Sequence, residues 1–218
     1  MAQGGGADPD AWLRMRRYVL GLTGKERPRV LYVPTAIGDD DSGVATFYEN
    51  MAPLCEPSVL RTFPWPPEDL RSVLLEQDGI CVSGGNTANM LAIWRVHGID
   101  ALMREAWEDG VVLFGASAGM ICWFEAGVTD SFGPELAPME CLGFLPGSAC
   151  PHYDGEERRR PVYTQLVADG FPPGIAADDG VAVRYAGTEL AEVVTTRDGA
   201  TAYRVEPSVE TPLEARLL

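Results

Sequence analysis

Histidine is almost missing from this sequence: among 218 residues only His97 and His152 carry an imidazole. There is no H-E-x-x-H run and no Cys/His cluster, so a zinc centre would have to be built almost wholly from carboxylates. Neither a metal nor an organic cofactor is expected. The five cysteines, Cys55, Cys81, Cys122, Cys141 and Cys150, are odd in number and form no C-x-x-C pair. They read as free thiols in a reducing compartment. Basic residues are scarce as well, 17 against 32 acidic, for a formal charge of −15. A phosphate backbone or an anionic membrane would repel most of such a surface, so neither nucleic acid nor membrane is an expected partner. No apolar run reaches the length of a membrane span, and MAQGGGADPD lacks the basic and apolar regions of a signal peptide. The expected location is the cytoplasm.

What is present is the pattern of an α/β protein, and the length suits a single domain over residues 1–218. Asp8 and Pro9 mark a helix start before AWLRMRRYVLGL. RVLYVPTA, SVLRTF, GICVSGG and VVLFGAS read as short buried strands, and helical segments separate them. This alternation predicts a three-layer, doubly wound, mostly parallel sheet. From Gly127 to Pro151 the sequence looks irregular, and EERRRPVYTQLVADG then predicts one more helix. GVAVRYAG, ELAEVVTT and ATAYRVE predict a C-terminal antiparallel meander flanking the main sheet.

Within this frame, VVLFGASAGMICW places Ser117 between Gly115 and Gly119, where a strand passes into a helix. Small residues on both sides of one hydroxyl suit a sharp elbow that exposes a nucleophile, although a Gly-rich turn with an idle serine has the same composition. An acyl-transfer enzyme also needs N–H donors for the developing oxyanion. Ala118, following the serine, and Gly85, at the end of the neighbouring strand, could supply them. Of the two histidines, His97 ends a helix, where the dipole favours an imidazolium. His152, in the loop CPHYD, is left as the base for Ser117. Between serine and histidine the candidate acids are Glu125, Asp130, Glu135 and Glu140. Asp130 is preferred because the serine and aromatic residue after it could hold it, and Glu135 is the reserve. Asp178 and Asp179 could also reach the site, but a turn between strands accounts for them equally well.

The stretches SGGNTANML, GASAGMICWFEAGVTDSFGPEL, LGFLPGSACPHYD and GIAADDGVAV resemble peptidase family S51, the aspartyl dipeptidases called peptidase E and their cyanophycinase relatives. The resemblance covers about residues 9–206 and implies a class I glutamine-amidotransferase-like fold with a serine at the elbow. It implies Ser117, His152 and Asp130 as nucleophile, base and acid, and Gly85 and Ala118 as the oxyanion positions. Substrate contacts are expected from Asn86 and Thr87. Family members open on a full strand before a glycine run, whereas only Met1, Ala2 and Gln3 precede Gly4-Gly5-Gly6 here. The first strand is thus abbreviated or begins upstream.

The implied substrates are dipeptides with an N-terminal aspartate, with a homodimer as the admitted assembly. Such a substrate requires a local cation, and matching RRPVYTQL to the family pattern implies Arg159, flanked by Arg158 and Arg160. A guanidinium fork suits a carboxylate better than an ammonium does. Two other readings remain. A cyanophycinase-like peptidase would need acidic pockets for arginine side chains, for which Asp39-Asp40-Asp41 could serve. A non-catalytic binding or sensor protein on the same fold would leave the serine idle.

Overall fold

Strand and helix alternate through the first half of the protein, as the sequence pattern predicts. The structure is a computed structural model that describes residues 1–5 and 9–218. Gly6 of the glycine run and Asp8, the expected helix start, lie outside the described residues. In chain order come β1 (Ala2–Gln3), α1 (Pro9–Gly21), β2 (Arg29–Val33), α2 (Asp41–Met51), β3 (Glu56–Val59) and α3 (Leu70–Leu75). These are followed by β4 (Gly79–Val82), α4 (Thr87–His97), α5 (Ile99–Glu108) and β5 (Val112–Ala116). The second half holds α6 (Ala118–Ile121), β6 (Phe124–Thr129), β7 (Ala137–Glu140), β8 (Leu145–Cys150) and α7 (Arg159–Ala168). Six further strands complete the described elements: β9 (Gly174–Ala177), β10 (Val181–Ala186), β11 (Glu189–Thr195), β12 (Ala202–Glu206), β13 (Val209–Pro212) and β14 (Arg216–Leu217).

The main sheet has eight strands in the order β14-β11-β10-β1-β5-β4-β2-β3. It is parallel from β1 to β3, and antiparallel where β10 joins β1 and β11 joins β10. Successive strand residues face opposite layers. Val30, Tyr32 and Phe114 therefore pack with Val19, Phe47 and Met51 of α1 and α2. Leu31, Val33, Ile80 and Leu113 pack on the other side with Leu74, Met90, Trp94 and Met103. The helices on both faces thus bury the sheet, as a parallel sheet requires. Side chains fix the helix starts: Asp40 accepts from the Gly43 amide at 2.9 Å, Asp69 from Ser72 at 3.0 Å and Asn86 from Asn89 at 2.8 Å.

Two expectations are corrected in the second half. Residues 127–151 are not irregular: they contribute to β6, β7 and β8 of a second sheet, ordered β13-β12-β9-β8-β6-β7. These strands are four to six residues long and interrupted by Gly127, Pro138, Pro146 and Gly147, so they show little alternation. The C-terminal meander also divides between the two sheets. β10 and β11 form a hairpin in the main sheet, whereas β12 crosses to pair with β9. The helix after Ser117 is a single turn, and Glu125 consequently lies on a strand.

Trp94 sits where α4 meets the sheet, with no exposed surface and its indole N–H 3.2 Å from the Thr35 hydroxyl. Trp94→Ala is expected to lower the free energy of unfolding by about 3–5 kcal/mol in urea titration. A loss below about 1 kcal/mol, the size of an average substitution, would contradict this packing.

Candidate active site

The elbow at Ser117 follows from how closely β5 and α6 approach β4. Ser117 has φ 57° and ψ −111°, an uncommon conformation for a residue with a side chain. A Cβ on Gly115 would lie 2.5 Å from the Val82 carbonyl oxygen and 2.9 Å from the Gly119 Cα, so no larger residue fits there. The strain is maintained by hydrogen bonds on both sides of the serine. Its N–H donates to the Gln3 carbonyl at 3.2 Å, and its own carbonyl accepts from Met120 and Ile121 at 2.9 and 3.1 Å. Strained residues of this kind concentrate at functional sites. The Ser117 hydroxyl has no hydrogen-bond partner among the described residues.

His152 is held by the next peptide of the same segment. Its N–H donates to the Gly4 carbonyl at 3.0 Å, and its φ of 55° is again in the left-handed region. Its Nδ1 lies 2.8 Å from Asp179 Oδ1. Gly5 packs directly against this pair: a Cβ there would fall 2.2 Å from both His152 Nδ1 and Asp179 Oδ1. Asp179 is itself fixed, its N–H donating to Asp154 Oδ1 at 2.9 Å and its carbonyl accepting from Arg197 at 3.2 Å. Burial opposes the charge of Asp154, but its bonds from Arg197 and from the Asp179 amide outweigh that and hold it below the ordinary carboxylate range.

The acid expected between serine and histidine is not the one that touches the imidazole. Asp130 lies 3.9 Å from Arg159, and Glu135 is paired with Arg158 at 2.6 Å. Both side chains are mostly exposed, at 61% and 82%. Asp179 was visible in the sequence only as half of an acidic pair in a turn. The signal that could have singled it out is its glycine-flanked position at the end of a strand adjoining β8. His97, as expected, is exposed at the end of α4, whose C-cap Gly98 is left-handed.

At the end of β4, Gly84 is the glycine set against Ser117: a Cβ there would stand 3.4 Å from the serine Cβ. Gly85 turns towards Ala36, with φ 125°. Among the described residues the amides of Gly84, Gly85 and Ala118 have no acceptor, so donors remain available on both sides of the elbow. Asn86 and Thr87 are spent on a neighbouring loop. The Asn86 side-chain amide donates to the Ser131 carbonyl at 2.9 Å, and the Thr87 N–H donates to the Ser131 hydroxyl at 2.9 Å.

Each of the three consecutive arginines has its own partners. Arg158 pairs with Glu135. Arg160 pairs with Glu210 and lies over the Tyr153 and Tyr203 rings. Arg159 is only 3% exposed, its Nε donating to Glu156 at 2.7 Å and its Nη1 to the Val128 carbonyl at 3.0 Å. The acidic loop is equally occupied. Asp39 accepts from the Thr62 hydroxyl and the Phe63 amide, both at 2.9 Å, Asp40 caps α2, and Asp41 pairs with Arg61. Among the described residues no three His, Cys, Asp or Glu side chains converge as a metal site would require. No helix among them is long and apolar enough to cross a membrane.

The family model described as peptidase family S51 matches residues 1–193. A Bacillus subtilis (strain 168) protein named "Uncharacterized peptidase YgaJ" is 49% identical over 210 residues, covering 94% of this chain and 90% of that protein. "Peptidase E" of Shewanella denitrificans is 31% identical over 142 residues, 61% of this chain and 60% of its own length. The crystal structure of a peptidase from an acI-B1 Actinobacterium shares the fold, with a TM-score of 0.71 over 98% of this chain and 93% of that one at 17% identity. An elbow serine, an imidazole paired with a carboxylate, and a family match over most of the sequence lead to one conclusion: the chain belongs to peptidase family S51 and is a peptidase.

Proposed function

We propose that the protein is a serine dipeptidase that hydrolyses dipeptides with an N-terminal aspartate, using Ser117, His152 and Asp179. The observation that carries this reading is the 2.8 Å contact between His152 Nδ1 and Asp179, held by the same backbone segment that holds Ser117. With Nδ1 bound to a carboxylate, the imidazole keeps its proton on that side and leaves Nε2 free as a base. His152 takes the hydroxyl proton as Ser117 Oγ attacks the scissile carbonyl, and Asp179 stabilises the imidazolium. The amides of Ala118 and Gly85 are the proposed oxyanion donors. Collapse of the tetrahedral adduct breaks the C–N bond, with the imidazolium proton passing to the leaving amine. Water, deprotonated by His152, then releases the aspartyl product from Ser117.

The preference for aspartate is the one the family resemblance implies, with Arg159 as its cation. A substrate carboxylate there would have to displace Glu156 from Nε or use Nη2, which stands 3.9 Å from Asp130. The cyanophycinase-like alternative is disfavoured because the carboxylates of Asp39, Asp40 and Asp41 already have partners. All five cysteines are free, which fits the cytoplasm proposed as the location.

Assays of the purified protein on aspartyl, glutamyl, asparaginyl and β-aspartyl dipeptides are expected to show cleavage of the α-aspartyl series alone. Ser117→Ala should lower turnover by up to about 10⁶-fold with the fold intact by circular dichroism. More than a few per cent of residual turnover would refute the serine mechanism.

The acid is assigned by a second comparison. Asp179→Asn is expected to cost about 10⁴-fold in kcat, as loss of the orienting carboxylate does in other triads. Asp130→Asn and Glu135→Gln should each stay within about tenfold of wild type, since neither carboxylate touches the imidazole. The reverse order of effects would return the role to Asp130 or Glu135.

A further inference from the structure

A further cation, apart from the arginine run, lines a cavity that also includes residues next to the elbow. Between α1 and α2, above Tyr32, Cys81 and Phe114, lies a cavity of about 570 Å³. Its lining includes Gln3, whose carbonyl accepts from the Ser117 N–H, Ala116, which precedes the serine, and Gly84, which packs against it. Its walls are largely apolar, from Trp12, Met15 and Val19 on one helix and Phe47 and Met51 on the other. One guanidinium enters it. Arg16 lies over the Trp12 ring at 4.8 Å, and no carboxylate pairs with it among the described residues. Burial works against its charge, and the titratable group that acts on it is the Cys81 thiol, whose pKa burial raises to about 12.

A half-buried cation with no counter-charge among the described residues is unusual in a protein with 32 acidic residues against 17 basic. We propose that this cavity is the subsite for the leaving residue of the dipeptide, with Arg16 binding its free carboxylate. The inference rests on the dipeptidase reading and adds the second half of the substrate to it. An Asp-X dipeptide carries two carboxylates, and the one on X is attached to a residue of variable side chain. An aspartate side chain is short and would leave the apolar walls uncovered. A leaving residue with an aliphatic or aromatic side chain covers them while its carboxylate reaches the guanidinium. Pockets that combine an apolar wall with one placed charge orient ligands in this way. A longer peptide places an amide where the carboxylate should be, so the subsite also explains a restriction to dipeptides.

The test compares kcat/KM for Asp-Leu, Asp-Leu-amide and Asn-Leu in wild type, Arg16→Gln and Arg16→Lys. Wild type is expected to favour Asp-Leu over its amide by roughly ten- to hundredfold, the usual worth of a hydrogen-bonded charge. Arg16→Gln should bring that ratio close to one, and Arg16→Lys should keep part of it, while the ratio of Asp-Leu to Asn-Leu stays as in wild type in both. If the Asp-Leu to Asn-Leu ratio collapses instead, the cavity holds the aspartate side chain and the proposal is wrong. If neither ratio changes, Arg16 binds no substrate carboxylate. Calorimetric titration with 3-phenylpropanoate separates the cavity from the chemistry. Binding to wild type, weakened at least tenfold in Arg16→Gln, supports the subsite even if none of the three peptides is cleaved. Equal binding, or none, overturns it whatever the peptidase activity.

Discussion

Two neighbouring carbonyls, those of Gln3 and Gly4, join the halves of the site: one accepts from the N–H of Ser117 and the other from the N–H of His152. The segment that carries them is β1 and the glycines after it, set between β5 and β10. Ser117 arrives from β5 of the main sheet and His152 from the end of β8 in the second sheet. Gly5 completes the arrangement because the absence of a side chain lets His152 and Asp179 meet. Gly4 and Gly5 are therefore a packing requirement of the site.

Charge is organised around the same frame. Although the protein is strongly acidic, its arginines are mostly neutralised locally, as in the pairs Arg71–Glu105, Arg158–Glu135, Arg160–Glu210 and Arg216–Glu192. Such exposed pairs contribute little stability individually. Asp154 and Arg197 have a different use, since both hold the backbone of Asp179 and so orient the carboxylate that orients the imidazole.

Much of this was legible in the sequence because it depends on local signals. Strand-helix alternation, the small residues around Ser117 and the position of His97 at a helix end are all set within a few residues. The partner of His152 was not legible, because it depends on which strand ends meet in space. Asp130 is nearer in sequence, but it lies at the end of β6 and meets Arg159, whereas the turn after β9 brings Asp179 to the imidazole. The second sheet escaped for a related reason. Its strands are short, contain Gly and Pro, and acquire their order only through pairing with distant partners such as β12 on β9. Arg158, Arg159 and Arg160 were readable as a basic run, but not that Glu135, Glu156 and Glu210 would occupy them.

The proposed chemistry depends on Ser117 being a nucleophile driven by the His152–Asp179 pair. Its most direct test is labelling with a fluorophosphonate, followed by peptide mapping by mass spectrometry and by the rate of labelling. One adduct on Ser117 is predicted, forming much more slowly in Asp179→Asn and at close to the wild-type rate in Asp130→Asn. An adduct on another residue, no adduct, or equal rates in wild type and Asp179→Asn would contradict it.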